Sequence, residues 1–69
     1  MAKSYFGENL RRIRKEKGLT QQELADLIMT THSSISDWER EVSYPQAIWI
    51  YEIADKLHIK PEELIQEIP

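Results

Sequence analysis

The chain has no cysteine, which excludes a disulfide framework and a thiolate metal site. It has two glycines and three prolines, and no repeat, linker or low-complexity tract. Long hydrophobic runs are missing too: none approaches the roughly 18 apolar residues that a membrane span needs. The first residues, Met-Ala-Lys-Ser-Tyr-Phe, lack the apolar stretch of a secretory signal. Strand-type alternation persists nowhere along the chain. What is present is 41% hydrophobic and 30% charged residues, a globular balance rather than a disordered one. Sixty-nine residues make one small domain, 1–69, with a thin core, because chains of this size bury only about 60% of their unfolded surface. The expectation is a soluble cytoplasmic protein.

The net charge of −3 does not by itself suggest a polyanionic partner. Its distribution says more. Residues 1–18 hold six basic and two acidic side chains, a balance of +4; residues 19–69 hold three basic and ten acidic, a balance of −7. An arginine-rich, solvated first helix and a basic edge that touches phosphates both fit this asymmetry.

Helical spacing recurs along the whole chain. Residues 4–17 place Phe6, Leu10 and Ile13 on one face. Lys15 and Lys17 suit the negative end of that helix, and Gly18 supplies a left-handed residue to close it. Thr20-Gln21-Gln22-Glu23 reads as a capping box, in which the threonine hydroxyl and the glutamate carboxylate satisfy each other's amides. It opens a second helix over 21–28 with Leu24, Ala25 and Ile28 inward. Thr30 to Ser34 is poor helix interior but good capping material, so a third helix follows Thr31 and ends near Arg40. Its inner stripe is expected to be Thr31, Ile35 and Trp38, and its outer stripe His32, Ser33, Ser36, Asp37 and Arg40. Pro45 suits the first turn of a fourth helix, 45–57, and Pro61 that of a fifth, 61–67. The fold class is therefore all-α: five short helices with short connections.

Two short helices joined by a tight turn form a helix-turn-helix. The outward face of the second is built from short polar side chains, which lets it approach base edges in a major groove where long charged side chains would hold it off. Leu10-Arg11-Arg12-Ile13-Arg14-Lys15-Glu16-Lys17-Gly18-Leu19-Thr20-Gln21-Gln22-Glu23-Leu24-Ala25, followed by Ile35-Ser36-Asp37-Trp38-Glu39-Arg40, Pro45, Ile53-Ala54 and Leu57, resembles the helix-turn-helix family of the phage lambda repressor and Cro. The likeness runs from about Phe6 to Ile65. It implies a lambda-repressor-like domain whose third helix enters the major groove, and dimers on two half-sites about one DNA turn apart.

Taken residue by residue, the resemblance assigns Gln21, and more weakly Gln22, to a backbone phosphate near the amide-rich start of helix two. It turns Thr31, His32, Ser33, Ser36 and Asp37 toward the groove, and sets Arg40, Ser43 and Tyr44 beside the flanking backbone. It implies a buried ion pair between Arg14 and Glu39. Three positions depart from the family pattern: Met29, Glu41 and His58 stand where glycine is usual. If Met29 is left-handed it costs roughly 1–2 kcal/mol; otherwise the turn differs. Asp37 either accepts from a cytosine N4, or serves to exclude wrong sequences, or sits over solvent.

The family pattern would bury Ala47, Ile50, Ile53, Ala54 and Leu57 on helix four. Ile48, Trp49 and Tyr51 are then surplus, with Ile65 and Ile68 near the C-terminus. They suit either a homodimer interface or a wider core stripe. His32, Ser33 or Ser34, and Asp37 lie within six residues on one helix and cannot converge as a catalytic triad. His32 and His58 lack a third metal ligand, and Glu62, Glu63 and Glu67 read as an exposed acidic helix. No enzyme activity, metal, cofactor, membrane partner or small-molecule ligand is expected. The reading is a sequence-specific, double-stranded-DNA-binding regulator of repressor type; the alternative is a protein-interaction module of the same fold, antitoxin-like or anti-repressor.

Overall fold

Helix ends organise this domain. A computed structural model describes residues 5–68, and its helices are α1 (Phe6–Glu16), α2 (Gln21–Ile28), α3 (His32–Glu39), α4 (Ala47–Leu57) and α5 (Glu62–Ile65). Ser4, the expected first residue of α1, lies outside the described residues. The first four helices all close with the same pair of backbone bonds, one reaching back five residues and one three. They are Leu19 to Arg14 with Gly18 to Lys15, Thr30 to Ala25 with Met29 to Asp26, Val42 to Asp37 with Glu41 to Trp38, and Ile59 to Ala54 with His58 to Asp55. That motif needs one left-handed residue. Gly18 (φ 73°) supplies it once; Met29 (φ 62°), Glu41 (φ 59°) and His58 (φ 57°) supply it elsewhere with a side chain attached. Met29, Glu41 and His58 thus make the left-handed turn without a glycine.

The start of α2 follows its sequence signal. Thr20 Oγ1 accepts from the Glu23 amide at 3.0 Å, and Glu23 Oε1 accepts from the Thr20 amide at 2.8 Å. Thr31 caps α3 by accepting from the Ser34 amide at 3.1 Å. It is exposed, so its placement on the inner stripe was incorrect: a capping residue sits before the first turn, and Ile35 and Trp38 alone carry the buried side of α3.

Two helices are shorter than their prolines suggested. α4 starts at Ala47 because Gln46 is extended (φ −67°, ψ 156°) and serves as its cap. The fixed φ of Pro45 fits that extended approach as well as a first helical turn. Ala47, as the first helical residue, is exposed and Ile50 half-buried; Ile53, Ala54 and Leu57 form the buried side. α5 ends after one turn, at Ile65 rather than 67. Asn9, wholly buried on α1, donates its side-chain amide to the carbonyls of Leu64 at 3.1 Å and Gln66 at 2.9 Å, and the chain leaves the helix at Gln66 (ψ 149°).

The core is one cluster. Phe6, Leu10, Leu24, Ile35, Ile53 and Leu64 are its largest fully buried apolar side chains, one or more from every helix. An aromatic group closes one side: Phe6 meets Trp38 edge-on (6.3 Å) and Tyr44 (5.6 Å), and Trp38 meets Trp49 (5.8 Å). Trp49 therefore has a place within the monomer, contrary to its reading as surplus. Gly7 makes the close approach of α1 to α3 possible, since a Cβ there would lie 2.7 Å from the Trp38 carbonyl oxygen and 2.8 Å from that of Glu39. Among the described residues no helix is long and apolar enough to cross a membrane.

Met29 is 89% exposed, so replacing it removes left-handed strain without loss of packing. Met29→Gly is expected to stabilise the domain by about 1 kcal/mol, the strain outweighing glycine's added chain entropy. A rise in Tm of roughly 4–8 °C checks this; an unchanged or lower Tm contradicts it.

Candidate nucleic-acid interface

α2, the three-residue turn 29–31 and α3 make a helix-turn-helix. Its geometry rests on one ion pair. Arg14 Nε donates to Glu39 Oε2 at 2.6 Å, and its Nη2 donates to Glu39 Oε1 at 3.0 Å. The two side chains keep 10% and 4% of their exposure. The hydrogen bonds that Arg14 donates to Glu39 raise its pKa, burial opposes that, and the nearby carboxylate charge raises it further. Arg14 Nη1 donates to the Leu19 carbonyl at 2.8 Å, fixing the segment that leads into α2. One guanidinium thereby joins α1, the α1–α2 connection and the last turn of α3.

Gln21 completes this group. Its Nε2 donates to Glu39 Oε1 at 3.0 Å, which sets the first residue of α2 beside the end of α3. The second hydrogen on that nitrogen remains available. The capping box satisfies the amides of Thr20 and Glu23, and those of Gln21 and Gln22, at the positive end of α2, have no partner among the described residues. The Gln22 side chain turns along its own helix and donates to Asp26 at 2.8 Å.

The cap Thr31 and, on α3, His32 and Ser33 are exposed, and Ser36 and Asp37 are half-buried. Asp37 accepts from Arg40 at 2.9 Å, so Arg40, expected beside flanking backbone, is tied to the same face. Ser43 is exposed in the following loop. Tyr44, 57% exposed, rests its ring on Phe6. The structure brings Gln21, Gln22 and the outer residues of α3 onto the helix-turn-helix, while Tyr44 is fixed by the aromatic cluster.

The surplus apolar residues divide. Ile48 and Tyr51 are each 60% exposed, one turn apart on α4, and Ile65 is 50% exposed on α5. Ile68 is half-buried and lies with Glu8, Arg11, Arg12 and Lys15 along a cleft of about 330 Å³. Reading the sequence missed Asn9, whose signal was a polar residue on the Phe6–Ile13 stripe, and the Asp37–Arg40 pair, whose signal was opposite charge at a spacing of three. Among the described residues no group of three metal-ligating side chains occurs.

The helix-turn-helix family matches residues 10–64. An uncharacterised helix-turn-helix-type transcriptional regulator, y4dJ, of Sinorhizobium fredii is 37% identical over 59 residues, 86% of this chain and 77% of that one. The crystal structure of the restriction-modification controller protein C.AhdI of Aeromonas hydrophila has a TM-score of 0.82 and 37% identity, over 87% of each chain. The P22 c2 repressor in complex with a synthetic operator has a TM-score of 0.83 and 25% identity, over 93% of this chain and 97% of that one.

Removing Arg14 strands a buried carboxylate, a change that costs about 3–5 kcal/mol in domains whose whole stability is about 5–15 kcal/mol. Arg14→Ala is expected to unfold at much lower temperature, not merely to lose binding. A melting curve unchanged from the parent protein contradicts this.

Proposed function

The chain belongs to the helix-turn-helix family, and we propose that it is a DNA-binding transcriptional regulator, not an enzyme, which reads duplex sequence by laying α3 in the major groove. The observation that carries this reading is the outer face of α3. Thr31, His32 and Ser33 stand in solvent with Ser36 and Asp37 behind them, small enough to reach base edges and chemically suited to them. The unpaired amides of Gln21 and Gln22, with the free hydrogen on Gln21 Nε2, suit a backbone phosphate. Phosphate contacts orient the protein and base contacts select the site, and the two kinds of group lie on different helices here. Ser43 and Tyr44 suit the flanking backbone. The operator-bound P22 c2 repressor supports the reading by its likeness.

A homodimer is the assembly this reading favours. Ile48, Tyr51 and Ile65 expose apolar surface that a second copy would cover, and a two-fold dimer matches a two-fold operator. Trp49 is engaged with Trp38, and Ile68 lies beside the basic side of α1.

Gel shifts against the DNA upstream of the protein's own gene, at two salt concentrations, test the DNA reading. Specific binding is expected, weakening with salt by a log–log slope of roughly −0.9 per phosphate neutralised. Equal affinity for that DNA and random duplex, or none for either, supports the protein-partner alternative instead. Sedimentation tests the assembly: a dimer is expected at micromolar concentration and a monomer for Tyr51→Asp or Ile65→Asp. A monomeric parent protein at high micromolar concentration counts against the dimer.

A further inference from the structure

A carboxylate on a face turned toward a polyanion needs an explanation. Asp37 lies in the last turn of α3, where its backbone carbonyl accepts from the amides of Val42 at 2.9 Å and Ser43 at 3.4 Å. The left-handed turn at Glu41 (φ 59°) therefore anchors the main chain at this residue. The side chain is anchored as well. Asp37 Oδ1 accepts from Arg40 Nη2 at 2.9 Å, with the two side chains 38% and 65% exposed. Arg40 offsets the charge and occupies one carboxylate oxygen. The other, Oδ2, has no partner among the described residues and remains an acceptor.

Resting on the DNA-binding reading above, we propose that Asp37 selects cytosine in the bound duplex, with Oδ2 accepting from the cytosine N4 amino group and Arg40 acting as the positioning residue. The groove edges decide between the bases. Guanine presents N7 and O6, and thymine presents O4, all acceptors that repel a carboxylate. Adenine offers its N6 amino group directly beside the N7 acceptor, so one contact is opposed by the other. Cytosine N4 is a donor with no acceptor beside it on the groove edge of that base. Arg40 makes this selection tolerable among phosphates. With the charge offset and one oxygen held, the penalty falls on the wrong base rather than on every sequence.

Selection from a pool of randomised duplexes tests the proposal, using the parent protein, Asp37→Asn, Asp37→Ala, Arg40→Gln and Arg40→Lys, each checked by a thermal melt. The parent protein is expected to enrich cytosine at one defined position. Asp37→Asn moves that position to adenine, because a carboxamide pairs with N6 and N7 together, and Asp37→Ala leaves it unspecified. A cytosine-to-thymine change in the selected duplex costs the parent protein on the order of tenfold in Kd and costs Asp37→Ala nothing. Arg40→Gln flattens the cytosine preference with the other positions intact, and Arg40→Lys restores it. Identical base preferences for the parent protein and Asp37→Asn overturn the assignment of Asp37. Equal loss of affinity for the cytosine and thymine duplexes in Arg40→Gln overturns the positioning role of Arg40. A parent protein that enriches no sequence at all overturns the DNA-binding reading itself.

Discussion

A guanidinium and a carboxylate enclosed between helices hold the helix-turn-helix in place. Each would be costly to desolvate alone. Here the pair is bidentate, and the remaining hydrogen bonds are placed with economy: Arg14 spends its third nitrogen on the Leu19 carbonyl, and Glu39 accepts a further bond from Gln21. The helices that meet there need not meet for hydrophobic reasons alone, since apolar burial is non-directional and tolerates several packings. The fork of the guanidinium does not. It fixes where α3 ends relative to where α2 begins, and so fixes the spacing between Gln21 at the start of α2 and the outer residues of α3. A buried pair of this kind adds little net stability; here it sets geometry.

Close approach of the backbones gives that geometry its room. Gly7 lets α1 lie against the carbonyls of Trp38 and Glu39, one residue type that no larger side chain replaces without displacing α3. Asn9, two residues further along the same helix, holds the carbonyls of Leu64 and Gln66 at the end of α5. α1 thus acts as the frame: one face meets the ion pair, one the core, and one the C-terminal segment, while its outer face carries the basic charge.

How far the sequence disclosed this differs from element to element, for physical reasons. α2 was legible to the residue because its start has a reciprocal capping box and its neighbours are poor helix formers. α4 and α5 were read too long because a proline fits both an extended approach and a first helical turn, and because the bonds from Asn9 that shape the C-terminal segment span 55 and 57 residues. Trp49 was misplaced since counting along one helix cannot see an aromatic cluster assembled from α1, α3 and the loop before α4. On the interface, the exposure of His32 and Ser33 followed from helical spacing. Thr31 did not, because a cap and an inner-stripe residue differ by one position. The ion pair came through family resemblance; the Asp37–Arg40 bond was within reach of spacing alone.

Three helix corners turn on Met29, Glu41 and His58 in a conformation that suits glycine. Each corner stores on the order of 1 kcal/mol, in a chain small enough for that to be a sizeable share of its margin against unfolding.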